Sequence, residues 1–178
     1  MTTSSRDAPA ARAAGVLAAL WGTLGFALLL GFAIVRLGAV VHDGFAATWT
    51  VLHWAALAAS VVAMAYFEGY RAFQLAYAPR FAARASRLLY EPTALRVILA
   101  PLYCMEFFHA PRARVLRALV LSSAIVALVL AVRGLPQPWR AIIDAGVVVG
   151  LIWGLAATLG AVGRMLLSSS AAGRRRRE

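Results

Sequence analysis

Residues 64–80 read MAYFEGYRAFQLAYAPR. An apolar run ends here in Glu68, Gly69, Tyr70 and Arg71, yet aromatic residues continue beyond the charges. If one helix runs through the stretch, Tyr66, Tyr70, Phe73 and Tyr77 recur at helical spacing and form a single stripe. Glu68 and Arg71 are then i,i+3 neighbours on another part of the surface. Tyrosine suits a membrane boundary, because its ring is apolar and its hydroxyl is wet. An arginine beside an acid lowers the cost of placing that acid near the boundary. The stretch therefore reads as a helix that leaves a bilayer without breaking. The sharper reading makes Glu68 and Arg71 the lining of a cavity open to the cytoplasm.

Composition supports the membrane environment. The chain has 178 residues, 62% of them hydrophobic and 14% charged, with mean hydropathy +0.77. Soluble domains are usually about 45–50% apolar and about 25% charged. All 18 basic residues are arginine and the net charge is +11. The arginines flank apolar runs instead of covering a soluble face, so anionic lipid headgroups are the expected partner and nucleic acid is not. Cys104 is the single cysteine. It excludes an intrachain disulfide and any multi-cysteine metal centre, and reads as a small buried hydrophobe.

Working outward, four segments have the length and character of spans, which need about 20 apolar residues in a helix. They are 14–37, 46–67, 115–132 and 141–162. The first is longer than the apolar core of a signal peptide and reads as a retained helix. Residues 1–13 and 168–178 read as disordered tails. Eight arginines lie between Glu68 and Arg117, two in the N-terminal tail and five at the C-terminal side. Only Arg36, Arg133 and Arg140 fall in the two short connections. The positive-inside rule then places both termini and the segment 68–114 in the cytoplasm of a bacterial inner-membrane protein.

Within that segment, Pro79 and Pro92 bracket a short amphipathic helix. Arg80, Arg84 and Arg87 share one arc with Glu91, while Phe81, Ala85, Leu88 and Leu89 form another face. Like charges at i,i+4 repel, so an anion is expected nearby, with lipid phosphate the default. Residues 97–109, VILAPLYCMEFFH, are too short for a span and carry Pro101 and Glu106. They read as an interfacial or re-entrant element.

The remaining candidates are few. Gly146, Gly150 and Gly154 place small residues every fourth position, which lets another helix approach closely. That partner is either a second copy or Ala18, Gly22 and Gly25 of the first span. Asp144 stands in the first turn of the fourth span with Arg140 one turn before it; capping or pairing is the plain reading, and a proton or cation site the sharper one. His53 has no facing partner for haem. Glu106 and His109 have i,i+3 spacing, but a di-iron site needs several such acids, and the chain has seven acids in all. No catalytic residue, cofactor or metal site is expected.

EGYRAFQ (68–74), LAPLYCMEFFHAPRAR (99–114) and QPWRAIIDAGVVVGLIWG (137–154) resemble motifs of a group of uncharacterised bacterial multi-pass inner-membrane proteins. The resemblance implies the membrane class and carries no activity. The expectation is an all-α protein with four transmembrane helices and a cytoplasmic interfacial segment. It acts as a non-enzymatic scaffold, assembly or regulatory component, with a protein partner in the membrane or a second copy of itself. The alternatives are a small oligomeric transporter or channel and, behind it, a lipid-acting enzyme using Glu106 and His109.

Overall fold

The computed structural model describes residues 7–90, 93–105, 127 and 130–175. Among these the protein is entirely helical. Helix α1 covers Asp7–Gly44, and α2 covers Val51–Met64. A π-helical segment, Ala65–Tyr77, follows without a break and leads into α3, Ala78–Tyr90. Two single-turn helices follow, α4 (Ala94–Ile98) and α5 (Ala100–Cys104). Residues 130–133 are helical, and α6 covers Trp139–Arg175. Three helical stretches are long and apolar enough to cross a membrane: Ala13–Gly44, Val51–Leu89 and Trp139–Ser168. Of the expected span at 115–132, only 127 and 130–132 are described.

Both expected tails are shorter than the sequence implied. Helix α1 already begins at Asp7, and α6 continues to Arg175. Asp7 suits the positive pole of a helix start, Pro9 fits the first turn, and the alanines that follow have the highest helix propensity.

The stretch from Val51 to Tyr90 is one rod. Its π-helical part has i→i+5 bonding: the Ala78 N–H donates to the carbonyl of Phe73. This explains why Pro79 does not open a new helix. In an α-helix a proline ring collides with the carbonyl four residues back. The wider turn just before Pro79 relieves that collision, and the Arg80 Nε donates to the Ala76 carbonyl at 2.7 Å.

Helix α1 runs antiparallel to the rod. Gly15 approaches the carbonyls of Leu88 and Leu89, and Phe26 packs on Tyr77 and Phe81. At its other end Gly44 meets Ala141 and Gln137, next to the start of α6. Helix α6 runs parallel to the rod, since Gly146, Gly150 and Gly154 meet Ser60, Glu68 and Phe73 in that order. The start of α1 and the end of α6 are therefore at the same end of the bundle.

The core lies toward that end. Phe26, Phe81, Ala85, Leu88, Ala100 and Cys104 are buried there, each no more than 1% exposed. This corrects the expected lipid-facing role of the 79–92 helix: Phe81 and Leu88 face α1 and α6, with nothing left of them for lipid. An amphipathic pattern marks a face that must be covered, and here protein covers it.

Candidate functional site

Among the described residues two polar constellations stand out, one midway along α6 and one at the end where α6 begins. The first grows from the glycine spacing. A β-carbon on Gly150 would stand 2.8 Å from Glu68 Oε2 and 3.2 Å from Glu68 Cβ. On Gly154 it would meet the ring of Phe73 at 2.5 Å, and on Gly146 it would collide with the Ser60 hydroxyl. The stripe thus receives the rod, not α1. The small residues of α1 meet α5 instead: Gly22 lies against Ala100 and Cys104, and Gly25 against the ring of Pro101. The closeness is reciprocal, because Gly69 of the rod is buried against Trp153 of α6. Trp153 Nε1 donates to Gln74 Oε1 at 2.7 Å, a bond that pins the π-helical segment to α6.

Glu68 is half-buried in this contact. It does not pair with Arg71, which is exposed, and no hydrogen bond from Glu68 occurs among the described residues. The wider π turn changes the angular register, so residues three apart no longer stack as on an α-helix. The same change splits the expected tyrosine stripe. Tyr66 and Tyr70 stack on each other at the exposed surface, with centroids 6.1 Å apart. Phe73 and Tyr77 turn inward, Tyr77 stacking on Phe26 at 5.4 Å.

The second constellation is a half-open cleft of about 420 Å³ between α1, residues 132–133 and the start of α6. Arg36, Arg133 and Arg140 line it together with Asp43 and Asp144. Its walls are apolar, with Phe32, Val35 and Val132 among them. Arg140 Nε stands 3.7 Å from Asp144 Oδ2, one helical turn apart on α6. That separation exceeds a hydrogen bond, and the Arg140 Nε is buried without an acceptor among the described residues. Asp43 has the neighbouring His42 ring at 3.7 Å. The sequence set Arg140 one turn before Asp144 as a candidate pair, but otherwise grouped Arg36, Arg133 and Arg140 only as the minority in the short connections and did not bring them to one site. They come from three separate segments, and no spacing rule joins such residues.

An aromatic cluster adjoins this end. Phe45 stacks on Trp49, and Trp54 packs tilted against both, with Trp49 and Trp54 centroids 4.9 Å apart. The His53 ring meets Trp139 edge-on at 4.9 Å. His53 Nδ1 also accepts the Thr50 N–H at 3.1 Å, so this histidine caps the start of α2.

Of the other expected site residues, Arg84 donates from Nη1 to the Tyr103 carbonyl at 3.0 Å and lies over the Tyr103 ring. Arg80 and Arg87 are exposed at the surface of α3. Glu106 and His109 lie outside the described residues. Among the described residues no group of three or more metal-ligating side chains comes together. Burial pushes the Cys104 thiol up to about 12, against a smaller opposing effect of Arg84. Glu68 and Asp144 are not brought together. Glu68 sits against Gly150, about 9 Å further along α6 than Asp144 at about 1.5 Å per residue. Comparison with protein-family models, with curated proteins and with solved structures gave no match.

Proposed function

We propose that the chain is a non-enzymatic, multi-pass protein of the bacterial inner membrane that scaffolds, assembles or regulates a partner through its basic cytoplasmic face. One observation carries the reading. The end holding both helix termini is a packed body in which α3, α4 and α5 close over α1 and α6, while basic and apolar groups face outward together. Arg80 and Arg87 are exposed, and so are Leu95 (61%) and Ile98 (71%). Basic residues attract anionic headgroups at about 1 kcal/mol each near the surface, and the apolar rim offers area to a partner.

Helix lengths support placing this body at headgroup depth. Helix α1 rises about 44 Å from Gly15 to Gly44 at about 1.5 Å per residue. A bilayer with its headgroups is about 40–45 Å thick. The Trp49, Trp54 and Trp139 cluster then marks one interface, as tryptophan does in membrane proteins, and α3–α5 lie at the other.

The positions of Cys104 and Val132 support a fourth crossing at 115–132. Cys104 lies beside Gly22 at one end, and Val132 lines the cleft beside Arg36 at the other. A return of the chain from one position to the other is the proposed fourth crossing. The fifteen-to-three division of arginines supports a cytoplasmic position for the end with both termini.

The test is a photoreactive residue at Leu95 in living cells. A discrete protein adduct that diminishes in the Arg80→Gln, Arg87→Gln double variant is expected. Adducts with lipid alone would overturn the scaffold reading. The second reading, a small oligomeric transporter or channel, is favoured by the Glu68 carboxylate set against Gly150 without a partner among the described residues. Ionisable groups inside a bundle commonly mark ion or proton paths. Proteoliposomes showing an ion flux that Glu68→Gln abolishes would favour it, and absence of flux would remove it.

A further inference from the structure

The cleft at the α6 start contains more positive charge than its own acids neutralise. Three guanidiniums face two carboxylates. Asp144 is engaged by Arg140 at 3.7 Å, and Asp43 has His42 beside it at the same distance. Arg36 and Arg133 make no hydrogen bond or ion pair among the described residues. Two like charges from different segments thus converge on one cavity whose walls are largely apolar. Without an anion the arrangement repels itself; with one it is a clamp.

We propose that this cleft binds a phosphate ester, held by Arg36 and Arg133, which line it from two different segments and are exposed, together with the half-buried Arg140. The guanidinium fork matches phosphate oxygens bidentately. A carboxylate is satisfied by one such fork, whereas a phosphodiester offers acceptors to groups arriving from two directions. The walls identify the rest of the molecule. Phe32, Val35 and Val132 give a hydrocarbon chain something to lie against, which a free phosphate ion does not use. The depth agrees: Trp139 directly precedes Arg140, and Trp139 belongs to the aromatic cluster expected at a membrane interface. An anionic phospholipid is therefore the favoured source of the phosphate group. This goes beyond the scaffold reading, which rests on the opposite end of the bundle.

The test uses the full-length protein in a phosphate-free maltoside detergent, with bimane attached at Ala39→Cys on the cleft wall. Cys104 is buried and does not compete for the label. Short-chain phosphatidylglycerol and inorganic phosphate are titrated separately. Phosphatidylglycerol should change the bimane emission saturably. Arg36→Gln with Arg133→Gln should weaken that response at least about tenfold, whereas Arg36→Lys with Arg133→Lys should weaken it less. Arg80→Gln with Arg87→Gln, at the other end, should leave it within about twofold. Equal melting temperatures establish that the variants are folded, and Arg133→Gln alone serves if the double variant is not. A saturable response to inorganic phosphate as strong as that to the lipid, lost in the same variants, would keep the phosphate clamp and assign it to the free ion. A phosphatidylglycerol response unchanged by loss of Arg36 and Arg133, or no response to either probe, overturns the proposal.

Discussion

At Cys104 the surroundings decide the chemistry. The thiol is fully buried beside Gly22 and Ala100, and its pKa is raised from 9.0 to about 12. Only the thiolate reacts with maleimide, so at neutral pH the reactive fraction falls about a thousandfold below that of an ordinary thiol. Labelling of the native protein at pH 7–9 should be negligible over the time in which the SDS-denatured chain labels completely; comparable rates would show that α5 does not bury the residue. The sign of the linkage follows. The unfolded thiol ionises from about 9 and the folded one only near 12, so the stability this burial contributes is lost as pH rises through that window. Glycines show the same dependence on neighbours. A β-carbon at Gly15 would stand 2.7 Å from two backbone carbonyl oxygens that cannot swing away, whereas at Gly31 it meets nothing within 4 Å. Gly15→Ala should destabilise by about 1–3 kcal/mol, while Gly31→Ala should be neutral or slightly stabilising through helix propensity. Thermal melts in detergent compare the two directly. The spacing of Gly146, Gly150 and Gly154 was readable as close packing, but the helix that fills it was not. Spacing states that a groove exists and leaves its occupant to the tertiary fold.

On the scale of elements, the apolar runs were legible because hydrophobicity is local, and three helices accordingly have the length and character of spans. The rod between Val51 and Tyr90 was legible as continuous through Tyr77, but not as π-helical. Widened turns are set by fit against α6, where Gly69 meets Trp153 and Gln74 accepts its indole N–H. A 3.6-residue period drawn through that region therefore misassigned half the aromatic stripe. Helix α3 is the clearest case of a correct pattern with the wrong cover. Its amphipathicity is compatible with either lipid or protein, and buried Phe81, its ring tilted against Phe26 at 5.0 Å, shows protein. Phe81→Ala should consequently cost about 3–5 kcal/mol. Leu95→Ala, at a position 61% exposed, should change stability by less than about 0.5 kcal/mol. Equal small effects at both positions would return α3 to the membrane surface.

For the whole molecule, the arrangement of the described helices fixes which ends lie together, and the arginine distribution is the basis for the side proposed. Helix α1 is antiparallel to the rod and α6 is parallel to it, so Asp7, Tyr90 and Arg175 mark one end, and Gly44, Arg133 and Trp139 the other. The cleft could not be read from the sequence because Arg36 lies about 100 positions from Arg133 and Arg140. Charge counting nevertheless assigned all three to the same side, and the cleft unites them at one end of the bundle. The charge distribution and the cleft together imply a testable topology. A reporter active only in the cytoplasm should work when fused after Ser170, and a periplasmic reporter should work when inserted at Gly134. The membrane potential favours this orientation, since moving each charge outward costs about 2.3 kcal/mol per 100 mV. Neutralising Arg174–Arg177 should leave it unchanged, because the arginines of 71–117 still outnumber the three on the other side. A periplasmic signal at Ser170 would reverse the assignment of the basic body to the cytoplasm. Opposite sides for Ser170 and Arg12 would go further: an odd number of crossings is incompatible with the start of α1 and the end of α6 lying at the same end of the bundle, and would remove the proposed fourth crossing.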